Sequence, residues 1–259
     1  MTTTIAIANE KGGVGKTTTA VTIASGLARL GYKVVLVDTD AQGNCALYLG
    51  LDSSHALYDL LIKEQPTTSC ITYANHDRRL AVIRSSSKTT LAKTVLSAQR
   101  APIDILSIAL QPIQDIADFC VIDTAPGVDP LGLATLFASD YVLIPTVCET
   151  LALNGVRSII ATIADLRNTY DARTALIGIV PTKYRGNTNE HRANLDLLAR
   201  TYYRQVGRKK QSLIYPEIPL ATTVAESTAY QLPLWDYAPK APATLAYQRV
   251  VERILSDVQ

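Results

Sequence analysis

The segment Ala8-Asn9-Glu10-Lys11-Gly12-Gly13-Val14-Gly15-Lys16-Thr17-Thr18 constrains the fold more than any other stretch of the chain. Its glycines let the backbone curl until successive N–H groups point inward, and such a nest holds a phosphate at a helix N-terminus. The apolar run Ile5-Ala6-Ile7-Ala8 in front of it reads as a buried strand, while Ala20, Ile23, Ala24, Leu27 and Leu30 behind it recur at helical spacing. Strand, loop and helix in that order make a Walker A box, with Gly12, Gly13, Val14, Gly15, Lys16, Thr17 and Thr18 as its nucleotide-binding residues. Lys16 is placed to reach the β- and γ-phosphates, and Thr17 to give a hydroxyl to Mg²⁺. One lysine would serve that purpose, yet the loop carries a second. Lys11 stands at the loop's start, where it cannot easily fold back onto the same phosphates. It is either a solvated cation or a group that reaches outward.

Two more strand-like runs end in carboxylates. Val34-Val35-Leu36-Val37 leads into Asp38-Thr39-Asp40-Ala41-Gln42-Gly43-Asn44, and Phe119-Cys120-Val121-Ile122 into Asp123-Thr124-Ala125-Pro126-Gly127. Open α/β sheets bind their ligands at the carboxyl ends of parallel strands, so Asp40 is a candidate for orienting a water toward the γ-phosphate. Asp123 is the candidate Walker B carboxylate, holding Mg²⁺ through water. Turn capping is the structural alternative for Asp38, Asp40 and Asp123.

The box Lys11-Gly12-Gly13-Val14-Gly15-Lys16-Thr17 resembles the deviant Walker A sequence of the ParA/MinD ATPases. Asp38 to Asn44 is similar to that family's D-x-D-P-Q-G-N segment with Ala41 in place of proline, and Asp123 to Gly127 to its Walker B segment with Ala125 for one of two prolines. The likeness continues through Ile144 to Glu149 and from Leu232 to Tyr247. It implies ATP and Mg²⁺ as cofactors and a homodimer formed face to face around ATP, in which Lys11 reaches the partner's nucleotide. Lys11, Lys16 and Asp40 are then the catalytic residues, and Thr17 and Asp123 the metal-side ones. The same likeness implies that the ATP-bound dimer binds nonspecific DNA, that a ParB-like partner accelerates slow hydrolysis, and that the protein is cytoplasmic and nucleoid-associated. Pro219 matches a position that packs near the adenine in relatives, and Thr182 and Lys183 are further candidate neighbours of the base.

Charge is nearly balanced over the chain at +2, but it is unevenly distributed. Lys183, Arg185, Arg192, Arg200, Arg204, Arg208, Lys209 and Lys210 face only Glu190 and Asp196 within their segment, which is therefore +6 and leaves −4 for the rest. A helix over 189–205 places Arg200 and Arg204 one turn apart, with Arg208 extending the row if the helix continues. Such a stripe suits DNA phosphates without reading sequence, although basic helical faces are also ordinary solvated surface. The family often has arginine where Ala221 stands, and sometimes where Ala225 stands. Its absence moves the expected DNA contacts to the basic segment, or to Lys240, Arg249 and Arg253.

Length and patterning predict one α/β domain over 1–259, a P-loop fold with a mostly parallel twisted sheet and helices on both faces. Strands are expected at 4–9, 34–38, 80–83, 119–123, 141–145, 176–181 and 213–215, and helices at 17–30, 154–168, 189–205 and 242–256. Residues 85–118 read as a serine turn and two short helical patterns at the surface. With 47% hydrophobic residues the chain can bury a large core, and no charge-free apolar run is long enough to span a membrane. The mixed-charge end, Val250 to Gln259, lacks the aromatic anchors of a membrane-binding tail. No secretory signal is read at the start. Cys45, Cys70, Cys120 and Cys148 are scattered and read as reduced, packed thiols. Two other functional classes fit a phosphate loop: a metabolic enzyme resembling dethiobiotin synthetase, and a scaffold that uses ATP only to set its oligomeric state.

Overall fold

Four of the apolar runs become adjacent parallel strands because each is buried on both faces, which only a sheet covered by helices on both sides allows. A computed structural model of the chain describes residues 1–74, 78–98, 102–206 and 209–258. Its main sheet contains β1 (Thr3–Ile7), β2 (Val34–Asp38), β3 (Ile71–Tyr73), β4 (Leu80–Ile83), β5 (Phe119–Asp123), β6 (Tyr141–Val147) and β7 (Ala175–Thr182). They lie in the order β3-β4-β2-β5-β1-β6-β7, parallel throughout except for β3, which pairs antiparallel with β4 at the edge. All six parallel strands therefore deliver their carboxyl ends to one rim.

The two faces separate by strand alternation. Ile5, Ile7, Val34, Leu36, Phe119, Val121 and Leu143 point to a core shared with helix α1 (Lys16–Arg29) and the C-terminal helix Pro242–Val258. Val35, Val37, Cys120 and Ile122 point the other way onto helices Ala56–Ile62, Ile105–Leu110 and Pro130–Phe137. Ala6, Val142, Ile144 and Ile179 meet helix Leu153–Tyr170 on that same side. The C-terminal helix spends its apolar face, Ala246, Tyr247, Val250, Val251 and Ile254, on the first core. No described helix is long and apolar enough to cross a membrane. All four cysteines are free and buried.

Three expectations change. Residues 85–118 do more than cover the surface: helices Lys88–Ala98 and Ile105–Leu110 bury Leu96, Leu106 and Leu110 in the second core, their short amphipathic turns being masked by polar neighbours. The strand expected at 213–215 is only a single parallel bridge, Ile179 to Ile214. The helix expected to reach 205 ends at Thr201. Tyr202 is extended, as its aromatic and β-branched neighbours favour, and the chain turns into an antiparallel hairpin of β8 (Tyr203–Val206) and β9 (Lys209–Ser212).

The hairpin breaks the basic row. Arg204 lies on β8 and ion-pairs with Asp257 of the C-terminal helix, whose side chain is 3% exposed. Asp257 also accepts a hydrogen bond from the Tyr215 hydroxyl at 2.7 Å, and Arg253 completes the cluster from one helical turn away. Arg204 and Arg253, both considered for DNA, are thus staples between hairpin and helix. Arg208 lies outside the described residues.

Candidate nucleotide site

At the rim, β1 runs straight into the glycine loop and then into α1. Gly13 and Gly15 sit at φ of 74° and 87°, left-handed values that other residues adopt only at a cost. Gly15 is the N-cap of α1, so the helix's unpaired N–H groups open into the loop. Asn9 sets the loop's entry. Its side-chain amide donates to the Pro145 carbonyl at 2.8 Å, and its oxygen accepts the Lys11 N–H at 3.0 Å. Gly155 leaves room for it, since a Cβ there would lie 2.3 Å from the Asn9 oxygen.

Threonines at or just beyond the strand ends tie neighbouring loops together. Thr39 donates to the Asp123 carbonyl at 2.7 Å, Thr124 to the Ile7 carbonyl at 2.9 Å, and Thr182 to both Val14 and Thr146. Asn9, Gly155, Thr39 and Thr124 carry no motif signal of their own as site residues. The recurrence of threonine directly after Asp38 and Asp123 was the available signal.

Lys16 is 6% exposed and donates its amine to the Lys11 carbonyl at 3.0 Å. Burial lowers its pKa, while the charges of Asp123 and Asp40 act the other way. Lys11 does point out of its own nest, but it is not without a partner: its amine pairs with Glu149 at 3.2 Å, both side chains remaining substantially exposed.

Asp38 and Asp123 are register partners at the ends of β2 and β5, and both are fully buried. Burial, then the neighbouring Asp38, pushes the Asp123 carboxyl up to about 8; burial pushes Asp38 up to about 6. Asp38 accepts the N–H groups of Asp40 at 2.9 Å and Cys45 at 3.1 Å, so it shapes the turn. Asp123 has the Cys45 thiol 3.5 Å from one oxygen and no hydrogen-bond partner on the other, although that atom is buried. A carboxyl oxygen left open in a buried pair of acids, with the Thr17 hydroxyl beside it, fits a hard divalent cation such as Mg²⁺, which would displace the proton that burial favours. The thiol is a poor ligand for that ion and simply occupies the second oxygen. When bound, Mg²⁺ would neutralise phosphate charge next to Thr17 and Asp123.

One consequence is measurable in nucleotide-free protein held in chelator. The unfolded chain ionises this carboxyl near pH 4, the folded chain only near 8, so the folded state binds the extra proton between those values. Stability contributed by this group falls as pH rises through that window. Asp123→Asn should raise the melting temperature at pH 8 by a few degrees and flatten its pH slope, while abolishing Mg²⁺-dependent turnover; an unaltered melting curve would refute the burial argument.

Beside the loop lies a cavity of about 350 Å³ lined by Gly15, Thr18, Thr182, Lys183, Pro219 and Tyr247, among others. Its position next to the helix N-terminus suits the nucleoside of a nucleotide whose phosphates fill the nest. Pro219, Thr182 and Lys183 are brought together there. Of the basic segment, Lys183, Arg185, Arg192, Arg200 and Lys210 are exposed, and the Lys183 amine donates to the Gly13 carbonyl at 2.7 Å. Arg192 holds its own turn through Gly186 and Asn189, and Lys210 lies 4.1 Å over the Tyr203 ring.

Comparison with known proteins agrees with this geometry. A family model described as an AAA domain matches residues 2–176. The chain is 33% identical over 256 residues to the chromosome-partitioning ATPase Soj of Thermus thermophilus, covering 98% of this chain and 96% of that one. It is 30% identical to the chromosome partitioning protein ParA of Caulobacter vibrioides over 97% of this chain and 93% of the relative. Among solved structures, apo McdA from Cyanothece superposes with a TM-score of 0.85 at 20% identity over the full length of both chains, which speaks to the fold. Cobyrinic acid a,c-diamide synthase from Mycobacterium smegmatis, bound to an ATP analogue and magnesium, superposes at 0.81 with 27% identity over 98% of this chain and 95% of that one. A two-lysine phosphate loop set on this sheet, in a chain alike end to end to partition ATPases, is an ATP- and Mg²⁺-dependent ATPase that belongs to the ParA/MinD-type partition family.

Proposed function

We propose that the protein is a DNA-partitioning or positioning ATPase whose ATP-bound homodimer binds nonspecific DNA and lets go after hydrolysis. The observation that carries this reading is the direction of Lys11: its amine leaves its own nest and rests on Glu149 in a half-exposed ion pair. Such pairs contribute about 0–1 kcal/mol, so a phosphate presented by a second protomer displaces Glu149 at little cost. The nest and Lys16 then hold the γ-phosphate, Thr17 and Asp123 stand at the metal, and Asp40 orients the attacking water. A ParB-like protein is the expected activator, and nucleoid association follows from DNA binding.

For the DNA face, Arg185, Arg192 and Arg200 with Lys209 and Lys210 remain, together with Arg208. Arg204 is withdrawn from that set because Asp257 holds it, and replacing it would loosen the hairpin rather than test binding. Light scattering and duplex binding with and without ATP test the whole reading. Wild type should dimerise and bind DNA only with ATP and Mg²⁺, and Lys11→Ala should lose both while still binding nucleotide. Changing Arg185, Arg200, Arg208, Lys209 and Lys210 together to glutamine should weaken binding to every duplex alike and reduce the slope of affinity against salt by about one for each phosphate no longer neutralised. An undiminished slope would move the DNA site elsewhere. ATP turnover that responds to a small carboxylate or amine and never to DNA would favour the metabolic reading, which the synthase superposition keeps in view.

A further inference from the structure

A nest that turns its N–H groups inward turns its carbonyls outward, and each of those needs a donor. Of the five carbonyls from Lys11 to Gly15, four have a donor within the protein. The Lys11 carbonyl accepts from the Lys16 amine at 3.0 Å and the Gly15 carbonyl from the Thr19 N–H at 2.9 Å, both donors belonging to α1. Gly13 and Val14 are served from the far end of β7, by the Lys183 amine at 2.7 Å and the Thr182 hydroxyl at 2.8 Å.

Lys183 takes an unusual backbone to do so, with φ of 49° in the left-handed region. For a residue with a Cβ this costs about 1–2 kcal/mol, and it persists only where the surroundings fix it. They do. Thr182 is buried at the end of β7, and Tyr184 is locked by its N–H to the Ile218 carbonyl at 2.9 Å and by accepting the Leu220 N–H at 3.1 Å. The lysine between these anchors also lines the cavity that opens beside Gly15 and Thr18. It therefore stands where the phosphate nest meets the nucleoside space.

We infer that Thr182 and Lys183 form a clamp that holds the phosphate loop in its anion-binding shape, and that Lys183 is a nucleotide-positioning residue rather than a contact for DNA. Its ammonium fixes the Gly13 carbonyl from outside α1 and adds a cation beside the incoming phosphates. Without it, the Gly13 peptide is free to rotate, and nucleotide binding must then order it.

Lys183→Asn separates charge from strain, because asparagine tolerates the left-handed backbone but has no ammonium to reach Gly13. Titration calorimetry with ADP and Mg²⁺ should show about 10-fold weaker binding, the scale of one lost charge-assisted hydrogen bond. The KM for ATP should rise with it while kcat changes far less, and Lys183→Arg should recover most of the affinity. Thr182→Val should weaken ADP binding in the same direction. Wild-type ADP affinity in Lys183→Asn overturns the clamp. So does unchanged ADP affinity with a shallower salt slope for DNA, which would make Lys183 a phosphate contact. Should Lys183→Asn melt early, Lys183→Gly carries the same comparison. ADP binding needs no DNA, so failure of the partition reading would leave this result standing, and the reverse.

Discussion

Lys16→Ala is expected to abolish nucleotide binding at ordinary concentrations. The side chain is almost fully buried, its amine holds the Lys11 carbonyl, and its charge lies within the field of Asp123 and Asp40. Burial lowers its pKa while the charges of Asp123 and Asp40 act the other way, and the amine gains a stronger partner when phosphate arrives. Each charge-assisted hydrogen bond lost to the phosphates costs about 1.5–3 kcal/mol, which corresponds to roughly 10- to 150-fold in affinity. The loss is larger than that expected at Lys183, since Lys16 projects into the nest and Lys183 acts on its outer side. Equilibrium binding of a fluorescent ATP analogue measures it. Affinity within tenfold of wild type would mean that backbone N–H groups alone carry the phosphate, and the lysine would be reassigned to turnover.

The parts of this molecule legible in its sequence are those where one local pattern has one structural solution. The glycine loop between Ile7 and Lys16 admits only a strand before it and a helix after it. Val34 to Asp38 and Phe119 to Asp123 appear at the predicted bounds because continuous apolar runs closed by a carboxylate leave little choice of register. Legibility failed where tertiary pairing overrode local periodicity. The residues from Thr201 onward continue a helical charge pattern, yet Tyr215, Asp257 and Arg253 offer the chain a hairpin seat that no local window reveals. Strand β3 is three residues long and owes its existence to the exposed edge of β4.

Within the site, motif residues were legible and their supports were not. Lys11, Lys16, Thr17, Asp40 and Asp123 are the proposed nucleotide and metal residues, and type and spacing single them out. The groups that shape the loop around them, Asn9, Gly155, Thr182 and the amine of Lys183, come from separate segments of the chain, and only folding brings them together. Lys183 shows the difference in kind. By charge it joined a basic stripe, whereas by geometry it belongs to the nucleotide loop.

Asp40→Ala is expected to bind ATP nearly as wild type does and to hydrolyse it about 10²- to 10³-fold more slowly, the range for losing a group that handles the nucleophile's proton or position. The backbone of Asp40 is pinned on both sides, its N–H donating to Asp38 at 2.9 Å and its carbonyl accepting from the Ser85 hydroxyl. One carboxylate oxygen caps the Gln42 N–H at 3.0 Å, which leaves the other for a water, and Lys16 and Asp123 both feel the Asp40 charge. The cap gives a competing account with a different signature. Losing an Asx cap costs about 1 kcal/mol of stability, spread over binding and turnover alike, because the loop itself loosens. Asp40→Asn divides the two: the amide oxygen still caps Gln42, but it cannot take up a proton or hold water as a carboxylate does. If Asp40→Asn hydrolyses ATP at the wild-type rate while Asp40→Ala binds and turns over equally poorly, Asp40 is a cap and the water must be positioned by another group. If both variants bind ATP and both stall, the ATP-bound state accumulates. Under the partition reading that state is a long-lived dimer on DNA, visible as slow dissociation from duplex after ATP is withdrawn.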